Sequence, residues 1–157
     1  MVGRFQPLHD GHVQLVRRAM DECGDVVLAI GSSAAPPSLR NPFTLAERQA
    51  MLASVFPSLR RVAVPDVHDD AKWGAHCLRL VGKVDRAYGN DPHSLDLLER
   101  EGVPVASPGL VKREAWSATH IRQLMAEDDP TWRKLVPAPV AKLLLQWDAP
   151  TRLRKLG

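Results

Sequence analysis

Cysteine, aromatic side chains and long apolar runs are all scarce in this chain of 157 residues. Its two cysteines, Cys23 and Cys77, are too few and too far apart for a disulfide framework or a metal-ligating set. Both are expected as free, buried thiols in a reducing compartment. No apolar run approaches the roughly 20 residues of a membrane-spanning helix, and no signal-peptide pattern opens the chain. No membrane contact and a cytoplasmic location are the resulting expectations. The arginines are scattered, no aromatic stripe interleaves them, and the net charge is only +3. That excess is too small to argue for nucleic acid, but it suits an anionic small ligand. There is no internal repeat and no low-complexity segment, and no carboxylate cluster demands a protein-held metal. The polar loop holding His68, Asp69 and Asp70, with His76 beyond it, is read as solvated.

What is present is an ordinary globular composition, 45% hydrophobic and 25% charged. It is long enough for one domain with a substantial core. Apolar runs alternate with helical patterns. Asp25–Ile30 is continuous and apolar and reads as a buried parallel strand. Arg60–Val64, Asp85–Gly89 and Val103–Ala106 read as further strands, and Gly109–Lys112 as another extended piece. Between them lie helical stretches from His12 to Cys23, from Thr44 to before Pro57, from Ala71 to Val81 and from Pro92 to Glu101. Ser117 and Pro139 open two more. Thr44-Leu45-Ala46-Glu47 has the form of a capping box. Arg48 is read as a partner of Glu47 or a helix-surface charge. The alternation implies an α/β fold with a mostly parallel sheet of five to six strands and helices on both faces. Residues 1–150 are expected as the domain and 151–157 as a basic tail or linker. Only Met1 and Val2 precede Gly3, so the first strand is either short or has lost its true beginning.

Two stretches carry chemistry. The first is Gly3-Arg4-Phe5-Gln6-Pro7-Leu8-His9-Asp10-Gly11-His12, followed at once by a helix-patterned run. The amides at the start of a helix point outward and its dipole favours an anion. An arginine and two imidazoles beside that end would make a phosphate site, and Gly11 lets backbone approach closely. The second is Trp116-Ser117-Ala118-Thr119-His120-Ile121-Arg122. Ser-x-Thr at a helix start is in itself an N-cap. Arg122, however, sits in the early helix, where the macrodipole disfavours a cation unless an anion is close. Gly31-Ser32-Ser33, directly after an apolar strand, lies where open α/β sheets bind ligands.

Together these stretches resemble the two signatures of the nucleotidyltransferase superfamily, His-x-Gly-His and Ile-Ser-x-Thr-x-Ile-Arg, with Trp116 in place of the usual isoleucine. Gly-Arg-Phe-Gln-Pro resembles the nicotinamide-mononucleotide adenylyltransferases of archaeal type, which also occur fused to hydrolase domains in bacteria. Ser38–Arg48, Pro65-Asp66, Trp73 and Tyr88–Pro92 are similar to the same family, so the likeness runs from Gly3 to about Arg122. It implies a Rossmann-like nucleotidyltransferase fold and transfer of the adenylyl group of ATP to nicotinamide mononucleotide, giving NAD and pyrophosphate. It implies His9, His12, Arg4 and Arg122 as catalytic residues. ATP would be held by Gly3, Arg4, Phe5, Gln6, His9, Gly11, His12, Arg40, Ser117, Thr119 and Arg122. Ser32, Asp66, Trp73 and Asn90 would bind the acceptor, with Trp73 stacked on the cationic pyridinium. Mg²⁺ would travel on the ATP phosphates, and a homo-oligomer is the implied assembly. The same chemistry on another phosphorylated acceptor stays open, as does a nucleotide-sensing module without turnover.

Overall fold

In a computed structural model, which describes residues 1–106 and 116–157, the apolar runs pair as parallel strands. Strands β1 (Val2–Gly3), β2 (Val27–Ile30) and β3 (Arg60–Ala63) form one sheet in the order β1-β2-β3. Val2 lies opposite Ala29, and Ile30 opposite Ala63. Strands β4 (Ala87–Tyr88) and β5 (Val105–Ala106) form a second, two-stranded parallel sheet. The expected single sheet of five to six strands is therefore corrected to three plus two. Among the described residues the link between the two sheets is an isolated parallel bridge from Val2 to Gly89. β1 and β4 are each two residues long and are already paired along their other edges, to β2 and β5, and between them the pairing is that one bridge. The extended piece expected at Gly109–Lys112 lies outside the described residues.

Parallel strands need long crossovers, and helices supply them. They are α1 (Asp10–Cys23), α2 (Leu45–Val55), α3 (Asp70–Val81) and α4 (Pro92–Arg100). The later chain forms α5 (Ala118–Ala126), a 3₁₀ turn (Pro130–Lys134), α6 (Ala138–Gln146) and α7 (Ala149–Leu156). Local signals set several boundaries. Thr44 Oγ1 accepts the Glu47 amide at 3.2 Å while the Thr44 amide donates to Glu47 Oε2 at 2.8 Å, completing the capping box. Asp91 caps α4 with Pro92 in its first turn. Ser117 Oγ caps α5 by accepting the His120 amide at 3.1 Å.

The chain divides into two compact units. The first holds Met1–Arg4, Gln14–Ala35 and Leu59–Gly109; the second holds Phe5–Val13, Pro36–Ser58 and Leu110–Gly157. The first unit buries a cluster that includes Val2, Ala29, Val64, Val81, Leu95 and Leu98. Cys77 belongs to that cluster, and burial pushes its thiol up to about 11. Cys23, expected buried, is exposed, its Sγ 3.3 Å from the Tyr88 hydroxyl. It occupies the last turn of α1, off the apolar stripe of Val13, Leu15, Val16 and Ala19.

In the second unit α2 packs on α6, and α5 packs on α7. Met51, Leu52, Ile121, Met125 and Leu144 are fully buried there. Residues expected as a tail lie within α7, where Leu153 is 1% exposed. Among the described residues no helix is long and apolar enough to cross a membrane.

Gly74, on α3, marks the tightest approach in the first unit. A Cβ there would lie 2.5 Å from the Leu97 carbonyl oxygen and 2.7 Å from Glu101 Cγ. Backbone cannot yield as a flexible side chain can, so we predict that Gly74→Ala destabilises the protein by about 1–3 kcal/mol. Urea unfolding measures this, and an unchanged midpoint would mean that α3 and α4 do not pack this closely in solution.

Candidate active site

Within the second unit, the loop leading into α1 folds two histidines onto each other. The His9 and His12 rings stack with centroids 3.7 Å apart and 28° between planes. The Phe5 ring tilts against His12 at 5.0 Å. The three-residue spacing at a helix start permits this, because it brings both side chains to one side of the first turn. Gly11 completes the fit: a Cβ there would lie 3.1 Å from His9 Cε1 and 3.3 Å from Trp116 Cβ. Close approach, rather than an unusual φ, is what favours glycine here.

The backbone sets the ring chemistry. The His9 amide points at His12 Nδ1, and the His12 amide at His9 Nδ1, each over 3.4 Å. A ring nitrogen that faces an amide N–H must be the acceptor, so the ring protons reside on Nε2. His9 is 3% exposed and His12 7%. Burial lowers the His9 pKa to about 3, and burial together with the neighbouring His9 ring holds His12 well below the ordinary histidine value. Both rings are therefore neutral near pH 7, each with one N–H to donate. The first-turn amides are less open than the sequence implies: the Asp10 amide donates to Leu135 O at 3.0 Å, and that of His12 is turned to the His9 ring.

Gln6 joins this loop to the one before α2. Its Oε1 accepts the Phe43 amide at 2.9 Å and its Nε2 donates to the Phe43 carbonyl at 3.0 Å. Arg122 Nη1 donates to the Gln6 carbonyl at 2.7 Å, and its Nη2 lies 3.3 Å from Thr119 Oγ1. Gln6, His9, His12, Ser117, Thr119 and Arg122 thus gather in one unit. Part of the dipole mismatch of Arg122 is met by that carbonyl. Arg40 is exposed, in a tight turn where Ser38 and Asn41 exchange backbone hydrogen bonds.

The first unit holds the other candidates. Gly3 ends β1, and its carbonyl accepts the Gly31 amide at 2.9 Å. A Cβ at Gly31 would lie 3.9 Å from Arg4 Cγ, so the arginine stem passes over the end of β2. Ser32 follows with φ of 47°, a left-handed conformation that costs a non-glycine residue about 1 kcal/mol or more and concentrates at functional sites. Asp66 is exposed. Trp73, half-buried in the first turn of α3, packs against the core of the first unit. The Asn90 Oδ1 is buried with no hydrogen-bond partner among the described residues, an acceptor open to a ligand donor. Asp69 caps α3 through the Ala71 amide at 3.0 Å. Among the described residues no group of three or more His, Cys, Asp or Glu is placed to hold a metal.

Arg48 corrects the sequence reading. It is 1% exposed, and Glu47 pairs instead with Arg152 at 2.8 Å. The signal was present: Arg48, Met51 and Leu52 follow the three- and four-residue spacing of one helix face, and that face is the buried one.

The family described as cytidylyltransferase-like matches residues 1–124. A nicotinamide-nucleotide adenylyltransferase of Picrophilus torridus is 34% identical over 162 residues, covering 100% of this chain and 95% of the relative. One of Methanothrix thermoacetophila is 33% identical, covering 99% of this chain and 94% of the relative. Among solved structures, a bifunctional NMN adenylyltransferase/ADP ribose pyrophosphatase of Francisella tularensis, complexed with AMP and a Mn ion, superposes with a TM-score of 0.77 at 20% identity. It covers 99% of this chain, which spans 50% of that longer one, and the likeness shows the α/β nucleotidyltransferase-like fold.

The buried rings make stability depend on pH. Their folded pKa values lie below the unfolded value near 6.5, so the unfolded state binds more protons between the two. Stability is fully present above about pH 6.5 and is lost as pH falls, by up to roughly 1.4 kcal/mol per pH unit for each ring. We predict that His9→Gln flattens the loss between pH 7.5 and 5.5 in urea unfolding. An identical slope in the variant would show that His9 charges freely in the fold.

Proposed function

We infer the activity from membership and geometry together: the chain belongs to the cytidylyltransferase-like family, and it is 34% and 33% identical to two nicotinamide-nucleotide adenylyltransferases over nearly its whole length. It transfers the adenylyl group of ATP to the 5′-phosphate of nicotinamide mononucleotide, giving NAD and pyrophosphate. The observation that carries the reading is the pair of stacked neutral histidines, with their protons on Nε2, in one unit with Arg122 and the Ser117 cap.

An oxygen of the acceptor phosphate attacks the α-phosphorus of ATP, and the bond from that phosphorus to the oxygen bridging to the β-phosphate breaks. Pyrophosphate leaves with that electron pair. The nucleophile is already an anion, so no general base is needed, and alignment and charge stabilisation do the catalysis. His9 and His12 donate from Nε2 to phosphate oxygens as charge builds on them. Arg40 and Arg122 hold the triphosphate, which arginine does bidentately. Ser117, Thr119 and the backbone of Phe5 and Gly11 line the same ligand. Ser32, Asp66 and Asn90 take the acceptor's polar groups, and Trp73 presents its indole face to the pyridinium. A divalent metal would arrive on the triphosphate that Arg40 and Arg122 hold, where Mg²⁺ would neutralise charge and keep most of its waters.

The direct experiment incubates the protein with ATP, Mg²⁺ and nicotinamide mononucleotide and follows NAD and pyrophosphate by chromatography. Product with a different phosphorylated acceptor alone would move the chain to a sister activity. ATP binding without any turnover would make it a sensing module. We predict that His12→Ala lowers kcat by about 10²–10³ while the ATP dissociation constant changes a few-fold, as expected for a donor used in the transition state. Equal losses in binding and turnover would remove that role. Trp73→Ala should raise KM for nicotinamide mononucleotide more than for ATP; an unchanged acceptor KM would return Trp73 to the core.

A further inference from the structure

We propose that Arg152, on α7, is a positioning residue for ATP: it fixes the base of the turn that carries Arg40. The inference rests on the reading of Arg40 as a triphosphate ligand. Arg40 stands at the tip of a short turn closed between Ser38 and Asn41, with the Asn41 amide also 3.1 Å from Ser38 Oγ. Residues 34–43 contain no helix or strand, so the aim of the tip depends on what grips its base. Gln6 grips it from one side through both backbone groups of Phe43.

Arg152 grips it from another side with three contacts. Its Nη1 donates to the Pro42 carbonyl at 3.2 Å and to Glu47 Oε2 at 2.8 Å. Its guanidinium carbon lies over the Phe43 ring, 5.8 Å from the centroid. The same Glu47 oxygen accepts the Thr44 amide, so one carboxylate ties Arg152 to the N-cap of α2. Burial alone would raise the Glu47 pKa, but the hydrogen bonds from Arg152 and Thr44 outweigh it and hold the carboxyl below the ordinary glutamate value.

Arg152 is itself held by a seated helix. Ala149 and Leu153 flank it on the buried face of α7, and α7 packs on α5 and α6. At the end of that helix a Cβ on Gly157 would lie 3.7 Å from Leu39 Cδ1, beside Arg40 itself. Arg154 anchors the outer face through Asp128 and through Thr151 Oγ1 at 3.0 Å. Arg152 is therefore a cation spent on protein groups, and its effect on ATP passes through the Pro42–Phe43 backbone.

The test measures the Mg-ATP dissociation constant by calorimetry, both KM values, kcat and Tm for wild type, Arg152→Ala, Arg152→Lys, Glu47→Gln and Arg40→Ala. Arg152→Ala should weaken Mg-ATP binding about three- to tenfold, the scale of one ordinary hydrogen bond, because the effect reaches ATP only through the turn. KM for nicotinamide mononucleotide should stay within about twofold. Arg152→Lys should recover part of the loss, since it keeps a charge for Glu47 but not the planar fork over Phe43. Unchanged Mg-ATP affinity in Arg152→Ala, or a loss shared equally by both substrates and tracking a lower Tm, would overturn the inference. So would unchanged affinity in Arg40→Ala. NAD formation by wild type with normal ATP affinity in Arg152→Ala sinks the positioning role alone. Weakened ATP affinity in that variant, in a wild type that makes no NAD, sinks the activity alone.

Discussion

Two imidazoles pressed together away from water are the constraint from which the rest of the site follows. Stacked 3.7 Å apart, they cannot both be charged, and burial keeps both neutral. The geometry that makes them neutral also chooses the tautomer, since each Nδ1 faces the amide of the other residue. That cross-pairing exists only when the residues are three apart at a helix start. It leaves little room for a side chain at Gly11, where a Cβ would crowd the His9 ring and Trp116. Four letters, His-x-Gly-His, thus specify a spacing, a tautomer and a packing at once. A pair of this kind cannot act as a charged clamp in the free protein. It presents two N–H groups whose direction the fold has already set.

The arginines of the second unit differ in what surrounds them. Arg48 is buried within α2 and belongs to the architecture. Arg152 is committed to Glu47, Pro42 and the face of Phe43. Arg122 touches both worlds: one nitrogen holds the Gln6 carbonyl while the other reaches Thr119 in the first turn of α5. Arg40 is exposed at the tip of its turn. The gradient from buried to exposed is physically reasonable, because an arginine meant for a ligand should keep its hydration until the ligand replaces it.

What was legible in the sequence was whatever depends on neighbours along the chain. The Thr44–Glu47 box, the Asp91-Pro92 start and the Ser117 cap are local bonds, and each appears where its residues are. The helix-start histidines were legible for the same reason. Sheet continuity was not, because it depends on how far a two-residue β1 can extend a ladder to β4. Cys23 is exposed where a buried thiol was expected, because a thiol near a helix end carries no pattern that places it. Arg48 was misread for a different reason. Charge suggests surface, yet the spacing to Met51 and Leu52 put it on the buried face, and the periodicity was the stronger signal.

The stretch from Ala149 onward shows the limit most sharply. Its arginines and lysine resemble a solvated tail by composition, and no local motif says otherwise. The structure places Leu153 in the core of the second unit and turns Arg152 back onto a loop 110 residues earlier in the chain. A contact of that separation cannot be inferred from spacing, because its partners are chosen by tertiary packing rather than by the chain. Its energy is also of a kind that sequence conceals. One ion pair on a surface is worth about 1 kcal/mol or less. Here Glu47 is well shielded, its side chain 15% exposed, and the same oxygen serves the helix cap. One carboxylate thus ties α7 to the N-cap of α2 and, through Arg152, to the Pro42 carbonyl. Gln6 likewise spends its whole side-chain amide on Phe43, so the base of that turn is held by protein groups from two parts of the chain.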